Sequence, residues 1–109
     1  MARPPIELVR GTLDLLVLKT VDLEPRHGVS IAERIRQITS GTFDVKPGSL
    51  FPALHRLEEA GFIAGEWVQS DEGRRVRRYV LTRAGRRRLN EGTREWMRVT
   101  AAMTQVLES

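Results

Sequence analysis

Apolar residues recur at helical spacing in four segments of the chain and alternate in one. From Gly11 to Leu23, the side chains of Leu13, Leu16, Val17, Thr20 and Val21 share one side of a helix, while Asp14, Lys19 and Asp22 lie mostly elsewhere. Glu24-Pro25-Arg26-His27-Gly28 breaks the pattern. Ser30-Ile31-Ala32-Glu33 then has the form of a capping box: the Ser30 hydroxyl accepts from the Glu33 amide, and the Glu33 carboxylate accepts from the Ser30 amide. Ile31, Ile35 and Ile38 continue as one stripe, which predicts a short second helix to about Thr39.

Ser40-Gly41-Thr42-Phe43-Asp44 interrupts again, and a third helix follows. Proline lacks an amide and crowds the preceding turn, so Pro52 is tolerated best in a first turn, where amides are unpaired anyway. That predicts a start near Gly48 or Ser49. Leu50, Leu54 and Leu57 fall within about 60° of one another on a helical wheel and form the buried stripe. Pro52, His55 and Glu59 lie opposite, with Ser49 and Arg56 on one flank and Phe51 on the other. Gly61 is placed to end the helix. Phe62 to Leu81 alternates loosely around a Ser70-Asp71-Glu72-Gly73 turn, which predicts a hairpin. Thr82 then caps a last helix whose stripe is Leu89, Trp96, Val99, Met103, Val106 and Leu107. The order helix, helix, helix, hairpin, helix predicts a mostly α fold with a small β-hairpin: a winged helix-turn-helix with an added C-terminal helix. Pro4-Pro5 marks a loosely held arm at residues 1–10. Residues 11–82 read as the winged domain and 83–109 as the added helix.

Charge sharpens this picture. Eight of the 18 basic residues lie between Arg74 and Arg88, with no acid among them, and the remaining 10 face 14 acids elsewhere. The whole excess of +4 therefore comes from one ribbon and the start of one helix. Charge distributed this way implies a polyanionic partner. In a helix-turn-helix the third helix enters the major groove N-terminus first, which makes double-stranded DNA the expected partner. Ser49 can donate to a phosphate; His55 and Arg56 can reach phosphates or base edges, unless Arg56 pairs with Glu58 or Glu59. Lys46, Phe51 and Pro52 complete the candidate face of that helix. Arg74, Arg75, Arg77 and Arg78, on and just after the hairpin turn, suit phosphates or a narrow minor groove.

The segments Pro47 to Ile63 (PGSLFPALHRLEEAGFI) and Arg77 to Leu89 (RRYVLTRAGRRRL) resemble the PadR family of bacterial transcription regulators. The resemblance covers nearly the whole chain. Phe51 stands where the family usually has tyrosine, so one hydroxyl that could serve a phosphate is missing. A single C-terminal helix is similar to the short subfamily. The resemblance implies a dimeric, ligand-responsive DNA-binding repressor, with relatives that answer to phenolic acids, drugs or other hydrophobic effectors.

The last helix carries the second expectation. Leu89, Trp96, Val99, Met103 and Val106 follow a 3-4 alternation suited to a coiled-coil-like seam with a second copy, or to packing on Leu13 to Val21. Trp96 is read either as core or, as the family resemblance suggests, as the wall of an effector site between subunits that would take an apolar or aromatic small molecule.

Other classes fit poorly. Without cysteine there is no disulfide framework and no cysteine zinc site, which agrees with a cytoplasmic location. No apolar run is long enough for a membrane span or a signal peptide. At 109 residues one domain can bury roughly 65% of its unfolded surface. Ser49 and His55 stand about 240° apart on the helix and cannot act as nucleophile and base. No phosphate-cradling glycine loop occurs, so neither catalysis nor a cofactor is expected. The alternative is a basic adaptor that binds a membrane or protein surface without reading DNA sequence.

Overall fold

The computed structural model describes residues 4–6 and 8–109. The elements are α1 (Arg10–Leu23), β1 (Arg26–His27), α2 (Gly28–Ile38), α3 (Pro47–Glu59), β2 (Ile63–Gln69), β3 (Arg75–Leu81) and α4 (Arg83–Leu107). The strands form one antiparallel sheet in the order β1-β3-β2. The hairpin register runs from Ile63 opposite Leu81 to Gln69 opposite Arg75.

Four helices and the base of the sheet contribute to one apolar cluster, with α4 supplying Leu89. Val17, Leu18 and Val21 of α1 meet Ile31 and Ile35 of α2, Leu50, Leu54 and Leu57 of α3, and Ile63 and Tyr79 of the sheet. Each fully buried leucine or isoleucine contributes about 1.5–3 kcal/mol relative to an exposed one. The core uses most of the stripes read for α1, α2 and α3, but Ile38 at the end of the α2 stripe is exposed and Leu18, outside the α1 stripe, is buried.

Some local signals act as the sequence predicts and others do not. Thr82 caps α4 by accepting from the Gly85 amide at 3.0 Å. The end of α3 is a Schellman turn: the Phe62 amide donates to Leu57 at 2.9 Å, the Gly61 amide to Glu58 at 3.0 Å, and Gly61 takes φ +79°, where a side chain would be strained. The Ser30–Glu33 capping box is not formed. The two-residue strand β1, read as part of a breaker cluster, leads directly into α2 at Gly28, so Ser30 already lies inside the helix. α3 also starts earlier than expected, at Pro47, which puts Pro52 in the second turn, where it costs the helix one backbone bond. The carbonyl left over belongs to exposed Gly48, where solvent can satisfy it.

The N-terminal arm is tied down in part. The Ile6 amide donates to the Thr42 carbonyl at 2.7 Å, and Leu8 packs on the core. Residues 1–3 and 7 of that arm lie outside the described residues.

Candidate nucleic-acid interface

α3 buries Leu50, Ala53, Leu54 and Leu57 and exposes Ser49, Phe51, Pro52 and His55. The Phe51 ring lies over the start of α2, so close that a Cβ on Gly28 would stand 3.3 Å from its edge, yet the side chain stays 49% exposed. His55 Nε2 lies 3.5 Å from Glu59 one turn on, and the Lys46 ammonium bonds Asp44 at 2.7 Å. A groove between α2 and the start of α3 is lined by Val29, Arg36, Lys46 and Phe51. Val29 and Arg36 went unread in the sequence. Their only signal is that they lie off the isoleucine stripe of α2.

Arg56 is placed apart from these residues. Its guanidinium bonds Asp14 of α1 at 2.6 Å, with both side chains about three-quarters buried. The partners read for it in the sequence were Glu58 and Glu59. The true partner is 42 positions away, and nothing local marks it.

The wing arginines divide by face. Arg75 and Arg77 share a face with Trp67, which stands opposite Arg77 in the ladder; their guanidinium carbons lie 4.9 and 5.3 Å from the indole centroid, within cation–π range. Arg77 also donates to Glu58, in the last turn of α3, at 2.5 Å. That carboxylate raises the Arg77 guanidinium above its ordinary pKa. The neighbouring Tyr79 hydroxyl is raised by burial and by Glu58, against an opposing effect of Arg77. Arg78 points to the other face and is bound by its cross-strand partner Glu66. Arg74 sits at the turn. Among the described residues, no carboxylate lies within 4.0 Å of Arg74 or Arg75.

α4 is split between two roles. Leu89, grouped in the sequence with the dimer seam, is only 5% exposed and belongs to the core of its own domain, where the first turns of α4 pack on α1. Further along, Trp96, Val99, Met103 and Val106 are exposed, Val106 at 75%. Trp96 lines two adjoining cavities. One, of about 440 Å³, lies between α1, α3 and α4 and includes Asp14, Arg56, Leu57, Phe62 and Val99. The other, of about 490 Å³, includes Leu16, Lys19, Leu89 and Thr93. Among the described residues no cluster of metal-ligating side chains occurs, and no helix is long and apolar enough to cross a membrane.

Comparison with known proteins agrees with this geometry. Residues 17–91 match the model of the transcriptional regulator PadR-like family. The transcriptional regulator Rv3488 of Mycobacterium tuberculosis is 34% identical over 88 residues, covering 81% of this chain and 78% of its own. A solved PadR family transcriptional regulator from Eggerthella lenta superposes with a TM-score of 0.80 at 28% identity, covering 92% of this chain and 85% of that one. One from Clostridium difficile gives 0.76 at 29% identity, covering 87% and 97%.

Proposed function

The chain belongs to the PadR-like family of transcriptional regulators, and from that premise we propose that it is a repressor that binds an inverted-repeat operator as a homodimer. α3 enters the major groove of each half-site, presenting Ser49, Phe51, Pro52 and His55, with Lys46 at its start. Arg74 and Arg75 at the wing tip meet phosphates or the adjacent minor groove. The observation that carries this reading is the wing tip itself: among the described residues no carboxylate lies within 4.0 Å of its two arginines, while Arg56, Arg77, Arg78 and Arg86 are all paired. Phosphates would satisfy the two at the tip. Arg56 is not among the groove-facing residues of this proposal, because Asp14 holds it against α1.

Replacing both Arg74 and Arg75 by alanine should weaken binding to every duplex alike. It should also flatten the dependence of log K on log salt by up to about 0.9 for each lost contact. A salt slope identical to that of the unmodified protein would place both side chains off the DNA.

A ligand-responsive switch is a second part of the proposal, supported by the position of Trp96 between two cavities beside the exposed half of α4. A planar aromatic compound held there would alter the spacing of the two subunits, provided it prefers one spacing over the other. Operator affinity should then fall roughly 5- to 150-fold. The check is a titration that follows Trp96 emission in a Trp67→Phe variant and operator release in the unmodified protein. Emission changes without release would mark an adventitious cavity.

A further inference from the structure

Two arginines of the wing are paired, Arg78 within the hairpin and Arg77 back to α3. We propose that Arg77 is a positioning residue that locks the wing to the recognition helix α3, and that it holds no phosphate.

Three observations converge on its guanidinium. Glu58, in the last turn of α3, binds it at 2.5 Å, and both side chains are about two-thirds buried. Trp67, directly across the ladder, lies under it at 5.3 Å. Gly65, one step back along the same strand face, leaves the room it occupies: a Cβ there would stand 2.6 Å from Nε and 2.9 Å from Cζ and Nη2. An arginine that merely swept solvent in search of phosphate would need none of these. Arg75 continues the stack outward on the same indole at 4.9 Å, so the row Glu58, Arg77, Trp67, Arg75 runs from the end of α3 toward the wing tip.

The mechanical sense follows from the topology. β2 leaves α3 through the tight turn at Gly61, and the core grips the hairpin at its base through Ile63 and Tyr79. β1 braces β3 as far as Arg78, opposite His27, and beyond that point the hairpin is a two-stranded ribbon free to twist and swing. A tie from the middle of β3 back to α3 fixes the angle between wing and helix before DNA arrives. The wing arginines then need less ordering on binding, which favours affinity. Like a clamp, the tie also conveys any tilt of α3 to the wing.

The proposal rests on the DNA-binding reading, and the sign of one substitution separates it from the simpler alternative. If Arg77 served a phosphate, Glu58 would be its competitor. Glu58→Gln would then tighten binding to all duplexes, and Arg77→Gln would flatten the salt slope by about 0.9. As a tie, Arg77 gives the opposite pattern. Glu58→Gln, Arg77→Gln and the charge-neutral Gly65→Ala should each weaken binding to an operator duplex enriched from a random library by about three- to tenfold. The salt slope should stay unchanged, and the Glu58→Gln/Arg77→Gln double variant should be no weaker than the worse single one. In the free protein, Trp67 emission should shift in all three variants, read in a Trp96→Phe background where Trp67 is the only indole. Tighter binding by Glu58→Gln, or a flattened slope with unchanged Trp67 emission, would overturn the proposal. Failure of the unmodified protein to enrich any duplex would instead sink the DNA reading, and Trp67 emission would still test the tie.

Discussion

Val99→Glu should convert the protein into a folded monomer whose operator affinity is lower by about a hundred- to ten-thousand-fold, the gain that linking two binding modules ordinarily gives. The exposed half of α4 repeats apolar side chains at Trp96, Val99, Met103 and Val106, alternating by three and four positions. Met97 and Leu107 add to the apolar surface nearby. Among the described residues, the rest of the chain leaves these side chains exposed. A second copy would cover them, by knobs-into-holes packing of the two symmetry-related helices. A carboxylate at Val99 would be trapped in that seam without a partner, at a cost that opposes association. It would not disturb the domain core, because Val99 is exposed in the single chain and the last buried residue of α4 is Leu89. Met103→Glu should act in the same way. Sedimentation reads the outcome, with circular dichroism confirming that the helices persist. An intact dimer of either variant would place the interface elsewhere.

Gly85→Ala should be among the most destabilising single-methyl additions in the chain. Gly85 lies in the first turn of α4, which closes on the start of the wing: the Thr82 amide donates to the Phe62 carbonyl at 3.1 Å, and the Thr82 hydroxyl donates to the Gly61 carbonyl at 2.6 Å. A Cβ on Gly85 would stand 1.9 Å from the Phe62 carbonyl oxygen and 2.8 Å from Leu81 Cδ1. The first neighbour is backbone, fixed by the Schellman turn and by the bond to Thr82, so helix and strand must part. The expected cost is about 1–3 kcal/mol or more. Each kcal/mol lowers the melting temperature by about 4–8 °C in a domain of this size, measured at fixed protein concentration. Gly92→Ala is the control. Its nearest neighbour is Leu15 Cδ1 at 2.8 Å, the flexible end of a side chain bordering a cavity. Alanine also favours a helix by about 1 kcal/mol over glycine. Gly92→Ala should therefore be near neutral. Equal melting temperatures for the two variants would show that α4 is not pinned at Gly85.

The sequence was legible wherever the physics is local. The stripe of Leu50, Leu54 and Leu57, the Thr82 cap, the Gly61 turn and the hairpin around Ser70 to Gly73 all depend on a few neighbouring residues, and each was read correctly. Signals that depend on what comes before an element were misread. Ser30 followed by Glu33 has the form of a capping box, but β1 pairs with β3 and feeds α2 from a position two residues earlier. Pro52 sits in the second turn because Pro47 already occupies the first, and the exposed face at Gly48 tolerates the missing bond. Pairings distant in sequence left no local trace. Asp14 with Arg56 and Glu58 with Arg77 became visible only in the folded chain, and they divide the arginines that charge counting had treated as equivalent. Leu89 shows the same limit. It continues the heptad-like stripe of Trp96 and Val99, so spacing alone assigned it to the seam, whereas the packing of α4 on α1 takes it into the core.

The central claim is that each of two subunits reads one half of a DNA site. Equilibrium titration against a duplex enriched from a random library tests it most directly, beside the same duplex with one half-site scrambled and a third fully scrambled, all at one salt concentration. The enriched duplex should carry an inverted repeat whose halves recur at about one helical turn, roughly 34 Å apart, or a multiple of that. Scrambling one half should remove most of the affinity, and scrambling both should leave only weak, salt-sensitive binding. Equal affinity for all three duplexes, with no repeat enriched, would contradict the claim and leave the basic wing as a surface for some other acidic partner.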